Sequence, residues 1–110
     1  MKKAAQIYIG TWRIVWMEIW DAEYVDMEVA AHIIIRKDLT GEFQFGSVQG
    51  QLDGRAGAVA KPSRFDFSWS GFDENDSVSG RGWLEVDGDQ AKGWLQFHFG
   101  DETALKAKRR

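Results

Sequence analysis

The chain has 110 residues, 44% of them hydrophobic, 28% charged and 14% aromatic, with twelve Gly, one Pro, no Cys and a formal net charge of -3. One core of ordinary size fits this length and a second domain does not, while six Trp, seven Phe and two Tyr are more large apolar surface than a disordered chain carries. Lack of Cys excludes disulfide scaffolds, thiolate zinc sites and thiol nucleophiles and fits a reducing cytoplasm.

The acidic balance argues against a general nucleic-acid binder, whose footprint is basic. No apolar run approaches the roughly 18 residues of a membrane span. Met1-Lys2-Lys3 is not followed by a signal-peptide core, because Gln6, Gly10 and Arg13 interrupt it. A cytoplasmic location without a membrane partner is the expectation.

Residues 7–19 alternate with period two, placing Ile7, Ile9, Thr11, Arg13, Val15, Met17 and Ile19 on one face and Tyr8, Gly10, Trp12, Ile14, Trp16, Glu18 and Trp20 on the other. This is a long strand, largely apolar on both faces. Asp21 then suits a helix cap with Glu23 near the positive end, so residues 21–28 predict a short helix or turn. A second strand follows over 31–37 on Ile33, Ile34 and Ile35, ending in a turn at 38–41 whose Gly41 can take positive φ.

The third strand, 42–45, sets Phe43 and Phe45 on one face, and Gly46 permits a bend before residues 48–52 continue. Gly54 and Gly57 loosen the next stretch, and a new strand begins near Pro62. Over 64–70, Phe65, Phe67 and Trp69 alternate cleanly with polar residues. Residues 71–77 read as a polar loop with an acidic tip. A hairpin then runs over 78–87 and 90–99, turning on Asp87-Gly88-Asp89. Residues 103–108 add a closing strand, with a flexible basic tail over 106–110 ending a single β domain of 1–110.

Seven or eight short strands separated by turn signals predict an all-β antiparallel meander, closed or partly closed as a small barrel, with one helical turn near 21–28. A two-sheet β-sandwich is the alternative.

The second hairpin has the same face parity whether its turn is Asp87-Gly88 or Gly88-Asp89. Leu84, Val86, Ala91, Gly93, Leu95, Phe97 and Phe99 form the core face; Trp83, Glu85, Lys92, Trp94, Gln96 and His98 share the other. The first turn sets Trp83 opposite Lys92, the second opposite Trp94. Either way two indoles stand on the polar face. They are covered by a loop or charged neighbours, form with Trp12, Trp16 and Trp20 a surface for self-association as a dimer, or line a pocket for a small apolar ligand.

Enzymatic constellations are scarce. His32 and His98 are the only imidazoles, no Ser sits in a G-x-S-x-G elbow, and neither His has a second at metal-ligand spacing, so no catalytic residue, cofactor or metal is assigned. Asp73, Glu74 and Asp76 lack the alternating spacing of a calcium loop, and Gly80-Arg81-Gly82 precedes a strand rather than the helix a phosphate cradle needs. Arg81 is expected to pair with the Asp73–Asp76 loop. The bases Lys106, Lys108, Arg109 and Arg110 form a solvated tail or contact an acidic partner.

Gly10-Thr11-Trp12 is similar to the G-x-W opening of the calycin barrels, the lipocalin and avidin group. That resemblance implies binding of a small apolar ligand by fold analogy. A broader likeness covers roughly residues 10–100. G-T-W-R-I at 10–14, M-E-I-W-D at 17–21, F-Q-F-G-S-V-Q-G at 43–50, F-S-W-S-G-F-D-E-N-D at 67–76 and S-G-R-G-W at 79–83 resemble a group of short, uncharacterised bacterial β-domain proteins without an assigned activity. The resemblance implies a bacterial, cytoplasmic, stand-alone domain, carries no catalytic residue across and leaves the basic tail uncovered. The combined expectation is a non-enzymatic interaction module that self-associates through an aromatic surface, with candidate residues Trp12, Trp16, Trp20, Trp83, Trp94, Arg81 and His98; the alternative is a calycin-like binder of a small apolar ligand.

Overall fold

The computed structural model describes residues 6–56 and 64–110. Among these lie β1 (Gly10–Met17), α1 (Ala22–Val25), β2 (His32–Ile35), β3 (Thr40–Phe45), β4 (Val48–Ala56), β5 (Phe65–Asp73), β6 (Asp76–Asp87), β7 (Gln90–Phe97) and β8 (Glu102–Arg109). Each strand pairs antiparallel with the next and β8 pairs with β1, so the eight strands close into an up-and-down barrel rather than splitting into a sandwich. Closure satisfies edges that an open meander would leave as templates for aggregation. Gly57 and Pro62, expected at the entry to β5, lie outside the described residues, as do Met1, Lys2 and Lys3.

The alternation read from the sequence sets the inner and outer faces. Phe65, Phe67 and Trp69 of β5 are buried, as are Leu84 of β6, Ala91 and Leu95 of β7, and Thr103, Leu105 and Ala107 of β8. They meet Trp12, Ile14, Ile33, Ile35, Phe43, Phe45, Val48 and Leu52 in one interior. Glycines facing inward make room for the rings: a Cβ at Gly50 would lie 2.5 Å from Phe43 Cζ, and one at Gly54 would lie 2.0 Å from Phe65 Cζ. Alternation of small and large residues fills a narrow barrel, and each buried ring contributes about 2–3 kcal/mol of transfer free energy.

Several local expectations change. β1 covers only the middle of the alternating run, and its register against β8 shifts between Ile14 and Trp16. That bulge turns both Val15 and Trp16 outward and returns Met17 to the core, breaking the strict two-residue period. In the turn after β2 it is Leu39 that takes positive φ, at 68°, whereas Gly41 lies inside β3 opposite Ile35 and Leu52. The expected polar loop over 71–77 is strand almost throughout, because β5 and β6 pair up to Asp73 opposite Asp76 and leave only Glu74 and Asn75 to turn.

The basic tail is corrected likewise. Lys106 stands opposite Lys92 and Trp16, and Lys108 opposite Gln90 and Arg13, so these residues are held in β8 between two partner strands. Apolar alternation is the reason: Leu105 and Ala107 point into the core and their basic neighbours out.

Candidate functional site

Three surfaces gather the candidate residues. On the outer wall, β6 and β7 turn at Gly88-Asp89, with Gly88 at φ +63° and Asp87 opposite Gln90. That register sets Trp83 opposite Trp94 and Glu85 opposite Lys92. The Arg64 guanidinium lies 3.9 Å from the centre of the Trp83 ring, and its Nε donates to Glu85 Oε2 at 2.8 Å. Trp94 Nε1 donates to Glu102 Oε1 at 3.0 Å. Arg81 does not reach the acidic turn: its Nε donates to Gln96 Oε1 at 2.9 Å, its opposite number on β7. Five residues of strand, about 16 Å, separate Arg81 from Asp76, and the cross-strand partner is nearer. Arg81, Trp83 and Trp94 thus share a shallow groove of about 620 Å³ with Asp53 and Asp66. Arg81 Nε and Trp94 Nε1 are engaged with neighbours on the same wall.

The other three candidate indoles do not form one patch with these, and of the three only Trp16 and Trp20 border a common groove. Trp12 is fully buried, its Nε1 donating to Tyr8 O at 3.0 Å, and is therefore a core residue and not an interface candidate. Trp16 is 44% exposed beside Lys106, whose Nζ lies 5.1 Å from the ring centre. With Val15 and Ile19 it lines a groove of about 340 Å³ between the end of β1 and α1. Here β1 has a strand neighbour on one side only, since its ladder with β2 ends at Arg13 while that with β8 runs on to Met17. Asp26 ties the crossing chain down, accepting from Arg13 Nη1 at 2.8 Å and from Ala31 N at 3.0 Å. The Arg13 hydrogen bond, with the Ala31 N–H behind it, holds the Asp26 carboxyl below its ordinary value, and the same bond raises Arg13.

Trp20 belongs to the third surface, the mouth of the barrel. In an up-and-down meander every second connection falls at the same end. The connections carrying α1, Gly46-Ser47, Glu74-Asn75 and residues 98–101 therefore converge. Asp21 caps α1 by accepting from Tyr24 N at 3.0 Å. Tyr24 then packs over Gly46, where a Cβ would lie 2.2 Å from the ring; its hydroxyl is 3.1 Å from Ser47 Oγ, which donates to Asp73 Oδ1 at 2.6 Å. Trp20 sits among Phe45, Tyr24 and Phe97 at ring-centre distances of 5.3, 5.7 and 6.2 Å. His98 stands exposed on the rim beside Phe99, their ring centres 4.1 Å apart.

Phe99 was expected on the core face. It is instead 96% exposed at φ +60°, because β7 ends at Phe97 and Gly100 N bonds back to Phe97 O across a tight turn. These walls border an open cleft of about 610 Å³. Tyr24, Asp73, Phe97 and Asp101 are not among the candidate site residues read from sequence; the signal was available in the turn positions, once alternate turns of a meander are assigned to one end.

Among the described residues no three His, Asp or Glu side chains gather as a metal site, and no helix is long and apolar enough to cross a membrane. His32 Nδ1 lies 2.9 Å from Ala30 O, a local contact. Comparison with family models, curated proteins and solved structures finds no match for this chain.

Proposed function

We propose that the protein is a non-enzymatic interaction module that forms a homodimer through the outward side of β1 and the connection that follows it. The observation that carries this is the distribution of exposed apolar side chains. Among the described residues the large exposed ones are Ile7, Val15, Trp16, Ile19, Met27, Val29, Phe72 and Phe99, and the first six fall between residues 7 and 29. Apolar surface concentrated along β1 and the segments flanking it suits an association face, and Trp is among the residue types most enriched in the energetic anchors of such faces.

Charge supports a two-fold pairing. Lys92, Lys106 and Lys108 flank Trp16 on one side, and Glu18, Asp21, Glu23 and Glu28 follow it along the chain. An isologous contact sets the basic flank of one copy against the acidic flank of the other. The cytoplasmic, bacterial, stand-alone setting implied by the sequence resemblance suits such a module. A ligand inside the barrel, the other expectation, meets an interior filled by rings at every inward glycine described above.

Sedimentation velocity from low micromolar to near-millimolar protein tests the proposal. A dimer weakened at high salt and at least about tenfold by Trp16→Ser supports it, since an interface Trp anchor contributes about 2 kcal/mol or more. A wild-type monomer throughout, or a dimer indifferent to Trp16→Ser, overturns it.

A further inference from the structure

The mouth of the barrel borders the association face, sharing Ile19 and Asp21 with it, and has a chemistry of its own. Its lining combines the exposed sides of Trp20, Tyr24 and Phe97 with the carboxylates of Asp21, Asp73 and Asp101. No Lys or Arg lines it among the described residues, and His98 is its one titratable nitrogen. At about 610 Å³ it is in the size range of small-molecule sites, and barrel mouths are a usual place for them.

We propose that this mouth is a binding site for a small organic cation, an ammonium carrying an apolar or aromatic substituent. Aromatic faces attract a cation through their quadrupoles and also bury its carbon atoms. The carboxylates supply the opposite charge, and a cleft lined by one sign of charge concentrates counter-ions. Two carboxylates are fixed before any ligand arrives: Asp21 by Tyr24 N–H, and Asp73 by Ser47 Oγ, itself held near the Tyr24 hydroxyl. Preorganisation of this kind lowers the entropy lost on binding. Among the described residues no three carboxylate or imidazole side chains gather as metal ligands, and the aromatic faces beside these carboxylates suit a ligand that carries carbon as well as charge. An anion would meet three carboxylates and no permanent positive side chain.

Phe99 adds an independent observation. An almost fully exposed Phe at φ +60° on the same rim lies tilted against the His98 ring and buries little of itself. Residues in sparsely populated backbone conformations cluster at functional sites.

Benzyltrimethylammonium is the probe, with benzyl alcohol as neutral control and phenylacetate as anionic control. Titrations followed by amide and indole NMR shifts are expected to move the Trp20 indole N–H and the amides of residues 97–101 with the cation, and little with either control. Asp101→Asn is expected to weaken the cation by about threefold to tenfold, and molar salt to weaken it further. Asp101 is exposed, and its backbone carbonyl, not its side chain, accepts from Phe97 N at 2.8 Å, so this variant keeps the fold. Absence of cation binding at millimolar probe, equal binding of alcohol or phenylacetate, shifts mapping away from the mouth, or indifference to Asp101→Asn each overturns the proposal.

Discussion

The Arg109 guanidinium lies 4.2 Å from the centre of the Trp12 ring, joining the end of β8 to β1. Its Nη1 donates to Ile9 O at 2.9 Å and its Nη2 to Ile7 O at 2.7 Å, while Nε lies 3.3 Å from Asp89 Oδ1. One planar group thus covers the buried indole, satisfies two carbonyls before β1 and reaches the β6–β7 turn. The barrel seam between β8 and β1 is fastened at this point.

Arg109→Met is therefore expected to cost about 2–3 kcal/mol, from the lost cation–π contact and two unpaired carbonyls, although the aliphatic stem is retained. Arg109→Lys keeps the charge but cannot stack and bond both carbonyls at once, so it recovers only part of the loss. Urea unfolding of the three proteins checks this. A loss below about 0.5 kcal/mol in Arg109→Met removes the seam from the account of stability.

A second consequence concerns acid. Asp26 is held below the ordinary carboxylate value of 3.8, chiefly by its hydrogen bond with Arg13. A folded-state value below the unfolded one contributes stability that is fully present above pH 3.8 and is lost as pH falls through the lower folded value. The side chain is 36% exposed, so screening limits the contribution to about 0.5–1 kcal/mol. Asp26→Asn should be less stable than wild type by that amount near pH 7, with a smaller difference at an acid pH below 3.8 and a reduction by molar salt at neutral pH. Denaturant unfolding at the two pH values provides the check; a gap that stays constant with pH contradicts it.

How much of this was legible in the sequence depended on whether period two held. Over Phe65, Phe67 and Trp69 it held, and the inner face, the strand and its partner across β6 followed. The Asp21 cap and the face parity of β6 and β7 were readable for the same reason: short-range chemistry decides them. Val15 and Trp16 were not, because a bulge costs one unpaired residue and leaves no mark in an apolar run. Trp12 was placed on the surface because its strand is apolar on both sides, and nothing local says that Arg109, almost a full chain length away, covers it. The mouth was missed for a topological reason. Trp20, Asp73 and Asp101 share no local pattern, and only the alternation of turns between the two ends of the barrel unites them.

Gly54 offers the sharpest test of how the interior is filled. A Cβ there would lie 2.0 Å from Phe65 Cζ and 2.6 Å from both Cε atoms, a separation no ordinary contact allows. The ring cannot swing clear, because Tyr8 and Phe67 stand against it at centre distances of 5.5 and 6.0 Å and the side chain is fully buried. Gly54→Ala should thus cost about 1–3 kcal/mol, although Ala favours strand backbone more than Gly does. Phe65→Leu alone opens space and should also destabilise, by about 1–2 kcal/mol. The double variant joins an extra methyl to a smaller neighbour, so its loss should be less than the sum of the two single losses by about 1 kcal/mol. Thermal or urea unfolding of the four proteins measures that coupling. Strict additivity would mean that Gly54 and Phe65 do not share the space between β4 and β5, and the small-against-large filling of the barrel would have to be abandoned at this layer.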